Sequence, residues 1–178
     1  MEEPNRLLVT GATGYVGSWV LRHWSRHHAG VELWATSERP RPHGMPSERY
    51  RQVDIRSNDE VVGLVRECRP DAVIHLASLI SGGTLADHLD INVLGTERLY
   101  RAIAETCGGA RIVQVGSAAM YGWISQDELP ITEDQPFRPV TNYAVSKSAQ
   151  DHLAHAMAAT SDLDIMRARF FNTLGPGQ

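Results

Sequence analysis

Gly11-Ala12-Thr13-Gly14-Tyr15-Val16-Gly17 constrains the fold of this chain more than any other stretch. It follows an apolar run, Leu7-Leu8-Val9, and opens onto Ser18-Trp19-Val20-Leu21-Arg22-His23-Trp24. The pattern reads as strand, tight turn and helix. Each glycine has a separate physical use. One turns sharply after the strand, one lets a phosphate-bearing ligand approach the backbone, and one lets the helix pack closely on the sheet. The helix N-terminus then offers unpaired N–H groups and a positive dipole end to the ligand. The spacing is GxxGxxG rather than GxGxxG. Taken alone, it also suits a glycine-rich turn that binds nothing.

The rest of the chain alternates strand and helix. Strands are predicted over Arg6–Thr10, Val31–Thr36, Arg51–Asp54, Asp71–Ala77, Arg111–Gly116 and Asp164–Phe171. Helices are predicted over Tyr15–His28, Asn58–Cys68, Leu85–Cys107 (with a break near its start) and Asn142–Ala159. Ser37–Arg49 and Ala118–Val140 read as loops, punctuated by proline and glycine. Strands separated by helices imply parallel pairing through right-handed crossovers. The expected fold is therefore α/β: a doubly wound parallel sheet, with ligand across the C-terminal ends of the first and fourth strands. The 178 residues suit one domain, 1–178, with a sizeable core.

Composition excludes several classes. A net charge of -4 gives no electrostatic case for nucleic acid or an acidic membrane surface. No apolar run approaches the roughly 18 residues of a membrane span, and Met1-Glu2-Glu3-Pro4 is not a signal peptide. Cys68 and Cys107 read as free thiols of a cytoplasmic protein. His23 and His27 stand four apart on a helix without a third ligand, so no metal site is expected.

Tyr143-Ala144-Val145-Ser146-Lys147 is the second informative stretch. Tyr and Lys at i and i+4 share a helical face. An ammonium beside the phenol favours phenolate and lowers a pKa of about 10 toward working pH. Tyr143 is thus a candidate general acid or base. Such a pair is often no more than a surface contact. Ser117, at the end of the fifth strand, supplies a third group able to reach the same oxygen.

With these stretches in place, the chain resembles the extended short-chain dehydrogenase/reductases, the NAD-dependent epimerase/dehydratase family of nucleotide-sugar enzymes. Thr10–Gly17, Asp54-Ile55, His75-Leu76-Ala77, Asn92–Thr96, Gly116–Gly122, Tyr143–Lys147 and Arg169–Asn172 carry the resemblance, in the family's order. The ending, Phe171–Gln178, most resembles the GDP-6-deoxy-4-keto-hexose reductase branch. The resemblance implies a Rossmann-type domain and hydride transfer at a sugar carbon of a nucleotide sugar. Tyr143 would be the acid/base, Lys147 would lower its pKa and hold the nicotinamide ribose, and Ser117 would bind the reacting oxygen. Cofactor contacts would come from Gly11, Thr13, Gly14, Tyr15, Val16, Gly17, Ser37, Arg39, Asp54, Ile55, Leu76, Ala77, Ser78, Asn92 and Phe171, together with Tyr143 and Lys147. Asn172, with Ser117, would meet the substrate.

Family dehydratases carry an acidic residue just after the catalytic hydroxyl. Ala118 and Ala119 stand there instead, which favours a reductase or epimerase over a 4,6-dehydratase. Members also run on for over a hundred residues, which carry most of the substrate pocket. That portion is expected to be missing here, leaving apolar surface uncovered. The alternatives are a non-catalytic dinucleotide-binding module and a reductase of a small non-sugar carbonyl compound. The resemblance further implies a homodimer through Leu85–Cys107 and the alanine-rich Asn142–Ala159. Ser37 stands where NAD-preferring members have Asp, followed by Glu38, Arg39 and Arg41. An arginine accommodates a 2′-phosphate, so NADP is favoured, with NAD possible through Glu38.

Overall fold

Residues 3–46 and 48–177 are described by the computed structural model. Met1 and Glu2 of the acidic N-terminus, Ser47 in the first long loop and Gln178 at the end of the family-like tail lie outside the described residues. The strands are β1 (Arg6–Thr10), β2 (Glu32–Ser37), β3 (Arg49–Gln52), β4 (Ala72–His75), β5 (Arg111–Ser117) and β6 (Asp164–Phe170). They form one sheet in the order β3-β2-β1-β4-β5-β6, and every neighbouring pair is parallel. The order reverses between β1 and β4, so a crevice opens at their C-terminal ends, as the doubly wound expectation requires.

The helices are α1 (Tyr15–His27), α2 (Asn58–Cys68), α3 (Leu85–Leu89), α4 (Gly95–Thr106) and α5 (Asn142–Thr160). One core unites Leu8, Val73 and Ile112 of the sheet with Leu64 and Val65 of α2, Leu99 and Ile103 of α4 and Ala154 of α5. The other joins Leu7, Val9 and Ala35 to Leu21 of α1. On the α1 face, Met166 and Phe170 of β6 remain 56% and 37% exposed. This agrees with the expectation of uncovered apolar surface.

Three local differences from the sequence reading have physical causes. The predicted helix over 85–107 is not a single α-helix. Between α3 and α4 lies a π-helical turn, Asp90–Leu94, where the Thr96 hydroxyl donates to the Asn92 carbonyl at 2.7 Å. The fourth strand stops at His75 rather than Ala77, because the Leu76 and Ala77 N–H groups turn to donate to Thr10 Oγ1, each at 3.1 Å. The third strand begins at Arg49 and ends at Gln52, two residues earlier than expected, as Trp34 to Ser37 pair with Arg49 to Gln52.

Candidate cofactor and active site

The glycine turn connects β1 to α1 through contacts that admit no side chain. Gly11 has φ +64°, and a Cβ there would stand 2.7 Å from the Ala77 nitrogen and the Leu76 carbonyl carbon. A Cβ on Gly17 would stand 2.4 Å from the Gly11 carbonyl oxygen. Gly17 therefore lets α1 close on the turn itself, rather than on the sheet as the sequence suggested. Gly14 is different. Its Cβ would meet only the Gly11 oxygen, at 3.2 Å, and its remaining side faces the cleft. No side chain caps α1, and no acidic residue stands in its first turn. By contrast, Ser57, Thr84 and Thr141 cap α2, α3 and α5. The first N–H groups of α1 are left for an anion.

A cleft of about 410 Å³ extends from this turn along the strand ends. Of the residues expected to contact the cofactor, Gly11, Thr13, Gly14, Ser37, Arg39, Asp54, Ile55, Leu76, Ala77 and Ser78 border it. Thr36, Glu38, Val53, Leu79 and Ile80 border it as well. Of these, sequence reasoning weighed only Glu38; the apolar residues Val53 and Leu79-Ile80, flanking Asp54 and Ser78, were the available signal. The glycine cradle, the uncapped helix and the apolar wall beyond them fit a dinucleotide: anionic in the middle, flat and apolar at one end.

Several side chains at the cleft already have partners. Ser37 Oγ pairs with Thr13 Oγ1 at 2.7 Å. Asp54 accepts from the Arg56 guanidinium at 2.7 Å, and this bond holds its carboxyl below the usual carboxylate range. Arg39 is exposed, and its guanidinium has no recorded partner among the described residues. Asn92 does not line the cleft. It is fully buried; Oδ1 accepts from Leu79 N and Ser78 Oγ, and Nδ2 donates to Leu79 O and Ser146 Oγ. Its amide thus fastens the Ser78–Leu79 backbone, which does border the cleft, to α5. Tyr15, Val16, Gly17, Tyr143, Lys147 and Phe171, also expected at the cofactor, lie outside the cleft wall, as does Ser117, and Phe171 and Asn172 are exposed near the chain end.

The second cluster stands at the C-terminal end of β5. Ser117 ends the strand, and its Oγ accepts from Ala119 N at 3.2 Å. Thr141 caps α5, with Tyr143 in its first turn. Burial raises the Tyr143 phenol above its ordinary pKa of 10, while its hydrogen bond with Ser117 works in the opposite direction. The expected depression by Lys147 is absent, because Nζ is engaged elsewhere. It donates to Val115 O at 2.7 Å and to Gln150 Oε1. Lys147 is the only lysine in a chain with 17 Lys and Arg residues. Burial pulls its pKa down to about 7, against the favourable charge of Asp151. An arginine would stay protonated at that position, whereas a lysine can release its proton.

Asp151, one helical position beyond Gln150 and 1% exposed, pairs with Arg167 at 2.7 Å and Arg169 at 3.2 Å. This pins α5 to β6. The His23 and His27 rings lie 4.8 Å apart on α1, and among the described residues no group of three His, Cys, Asp or Glu could hold a metal. Both cysteines are free. No described helix is long and apolar enough to cross a membrane.

Known proteins show the same arrangement of elements. GDP-6-deoxy-D-mannose reductase of Pseudomonas aeruginosa is 35% identical over 181 residues, covering 97% of this chain and 54% of that protein. The structure of RMD from P. aeruginosa complexed with NADPH matches with a TM-score of 0.80 and 31% identity, covering 98% of this chain and 55% of that one. MoeE5 in complex with UDP-glucose and NAD matches with a TM-score of 0.83 and 33% identity, covering 97% and 56%. The chain spans about half the length of these relatives. From the first strand through the glycine turn to the tail after β6, residues 7–178 match the family described as NAD dependent epimerase/dehydratase, and the chain belongs to that family.

Proposed function

We propose that the chain carries the cofactor-binding and proton-handling machinery of an NAD(P)-dependent nucleotide-sugar reductase or epimerase. One observation carries this reading: Ser117 at the C-terminal end of β5 and Tyr143 in the first turn of α5 stand side by side, at the sheet edge where the strands end and the glycine turn begins. The nicotinamide group supplies hydride exchange when bound. The chain's own residues do the rest. The α1 N-terminus and Gly14 receive the phosphates, and Ile55, Val53 and Leu76 give the base an apolar seat. Ser117 orients the sugar oxygen, and the Tyr143 hydroxyl gives it a proton or takes one from it. Raised by burial, that phenol is protonated in the free protein and is poised as an acid. Lys147, one turn on along the same helix, holds the nicotinamide ribose.

The relatives' ligands, NADPH for RMD and NAD for MoeE5, frame the cofactor choice. Ser37 is already committed to Thr13, and Arg39 stands at the cleft with its guanidinium free among the described residues. A 2′-phosphate suits that guanidinium, so NADP is the preferred cofactor. A homodimer through α3–α4 and α5 is part of the same reading, with Leu94 48% and Val145 37% exposed on those helices.

The test is Tyr143→Phe, which removes the proton and keeps the ring. Turnover on a panel of nucleotide sugars, assayed with the full-length gene product, falls at least about a hundredfold while cofactor affinity is unchanged. Near-normal turnover in that variant refutes the assignment. Cofactor binding without turnover in the parent on every sugar would favour the binding-module reading instead.

A further inference from the structure

Thr10, His75, Thr96, Gln150 and Lys147 are each at most 2% exposed. They form one hydrogen-bonded line beneath the C-terminal edge of the sheet, and its donors and acceptors fix its direction. Thr10 Oγ1 accepts from the N–H groups of Leu76 and Ala77. A hydroxyl has two acceptor positions and one proton, so that proton goes to His75 Nδ1, at 2.7 Å. His75 is therefore the tautomer protonated on Nε2, which donates to Thr96 Oγ1 at 2.9 Å. Thr96 gives its own proton to the Asn92 carbonyl and so accepts from Gln150 Nε2, at 2.6 Å. The Gln150 amide has one orientation left, with Oε1 against Lys147 Nζ.

We propose that Gln150 is a positioning residue for Lys147: the line through Thr96, His75 and Thr10 locks its carbonyl oxygen onto Nζ, which fixes where the amine sits and how firmly it holds its proton. The proposal rests on the reading of Lys147 as part of the active site. Gln150 borders no part of the cleft and acts only through Lys147. The line begins at Leu76 and Ala77, which do border the cleft, so one set of bonds ties the cofactor wall to the amine. The other charged or titratable groups around Lys147 are few. Asp151, on the same helix, favours the ammonium. His75, on β4, is held neutral down to about 3 by burial and by Lys147, so it carries no charge in the working range. Tyr143 lies one turn back on α5.

Lys147 is the only lysine among these 178 residues; with lysine labelled at Cε and Nζ, the side-chain NMR signal that Lys147→Met removes is its own, and its titration reads this amine directly. Gln150→Met keeps the length of the side chain and removes the acceptor; its midpoint drops by at least about one pH unit, a tenfold loss of proton affinity. Gln150→Glu raises the midpoint. Thr96→Val, which frees the amide to turn, lowers it, and Thr96→Ser restores the parent value. A residue that only fills space would leave all these midpoints together, and that result overturns the proposal; if Gln150→Met does not fold, the Thr96 pair decides. NAD(P)H affinity and turnover of Lys147→Met are measured in parallel. If both equal the parent's, the active-site role of Lys147 fails, while the labelled-lysine shifts still judge the coupling on their own.

Discussion

Gly11 and Gly14 lie three residues apart in one turn, yet the structure gives them different work, and alanine substitution separates the two. Gly11→Ala places a non-glycine residue at φ +64°, which costs roughly 1–2 kcal/mol. Its Cβ also meets backbone at 2.7 Å. Backbone cannot swing aside as a side-chain end can, so overpacking adds about 1–3 kcal/mol. The combined loss is about 2–5 kcal/mol. At roughly 2–4 °C per kcal/mol for a domain of this size, Tm falls by at least about 4 °C. Gly14→Ala escapes the first penalty and meets the second only weakly. Its φ is -73°, and its Cβ would make one close contact, at 3.2 Å. Stability falls by about 1 kcal/mol or less, smaller than the Gly11→Ala loss, but the added methyl group stands on a residue that borders the cleft, and NAD(P)H affinity falls at least about tenfold. Thermal unfolding by circular dichroism and cofactor titration by calorimetry on both variants give the four numbers needed. A Gly14→Ala protein as destabilised as Gly11→Ala, or a Gly11→Ala protein as stable as the parent, refutes this division.

Other outcomes follow from the same structure. Arg39→Ala should lower NADP affinity and leave NAD affinity nearly unchanged, in titrations at equal ionic strength; an intact NADP preference would move ribose recognition to Glu38. Lys147 has an ordinary pKa of 10.5 and a folded one of about 7. Between those values the unfolded chain binds the extra proton, so this group makes stability rise with pH through that window and contributes a constant penalty below it. Urea midpoints between pH 7 and 9 should therefore rise less steeply in Lys147→Met than in the parent. Asp151→Ala leaves Arg169, and in part Arg167, without its buried counter-ion and should cost about 3 kcal/mol; a loss below about 1 kcal/mol would mean the α5–β6 clamp is weak.

Much of this was legible in the chain itself, because it depends on local pattern. The alternation of apolar runs and helical stretches gives the parallel sheet and its switch point. Glycine spacing marks the turn, since only a missing Cβ satisfies those contacts. Tyr143 and Lys147 were singled out as candidates by helical spacing, and Ser117 by its place at a strand end.

What the chain could not disclose depends on groups far apart in sequence. Asn92 was expected at the cofactor, and its amide is instead saturated by Ser78, Leu79 and Ser146. Ser37 was expected among the cofactor contacts, and it borders the cleft with its hydroxyl held by Thr13. The spacing of Tyr143 and Lys147 suggested an ammonium that depresses the phenol's pKa, but burial acts on both groups, and Lys147 turns to Val115 and Gln150. Periodicity assigns a residue to a helix or strand and to one of its faces. Which partner a buried donor or acceptor takes is decided only when the sheet brings residues such as Thr10 and His75, or Thr96 and Gln150, within hydrogen-bonding distance, where water no longer competes for them.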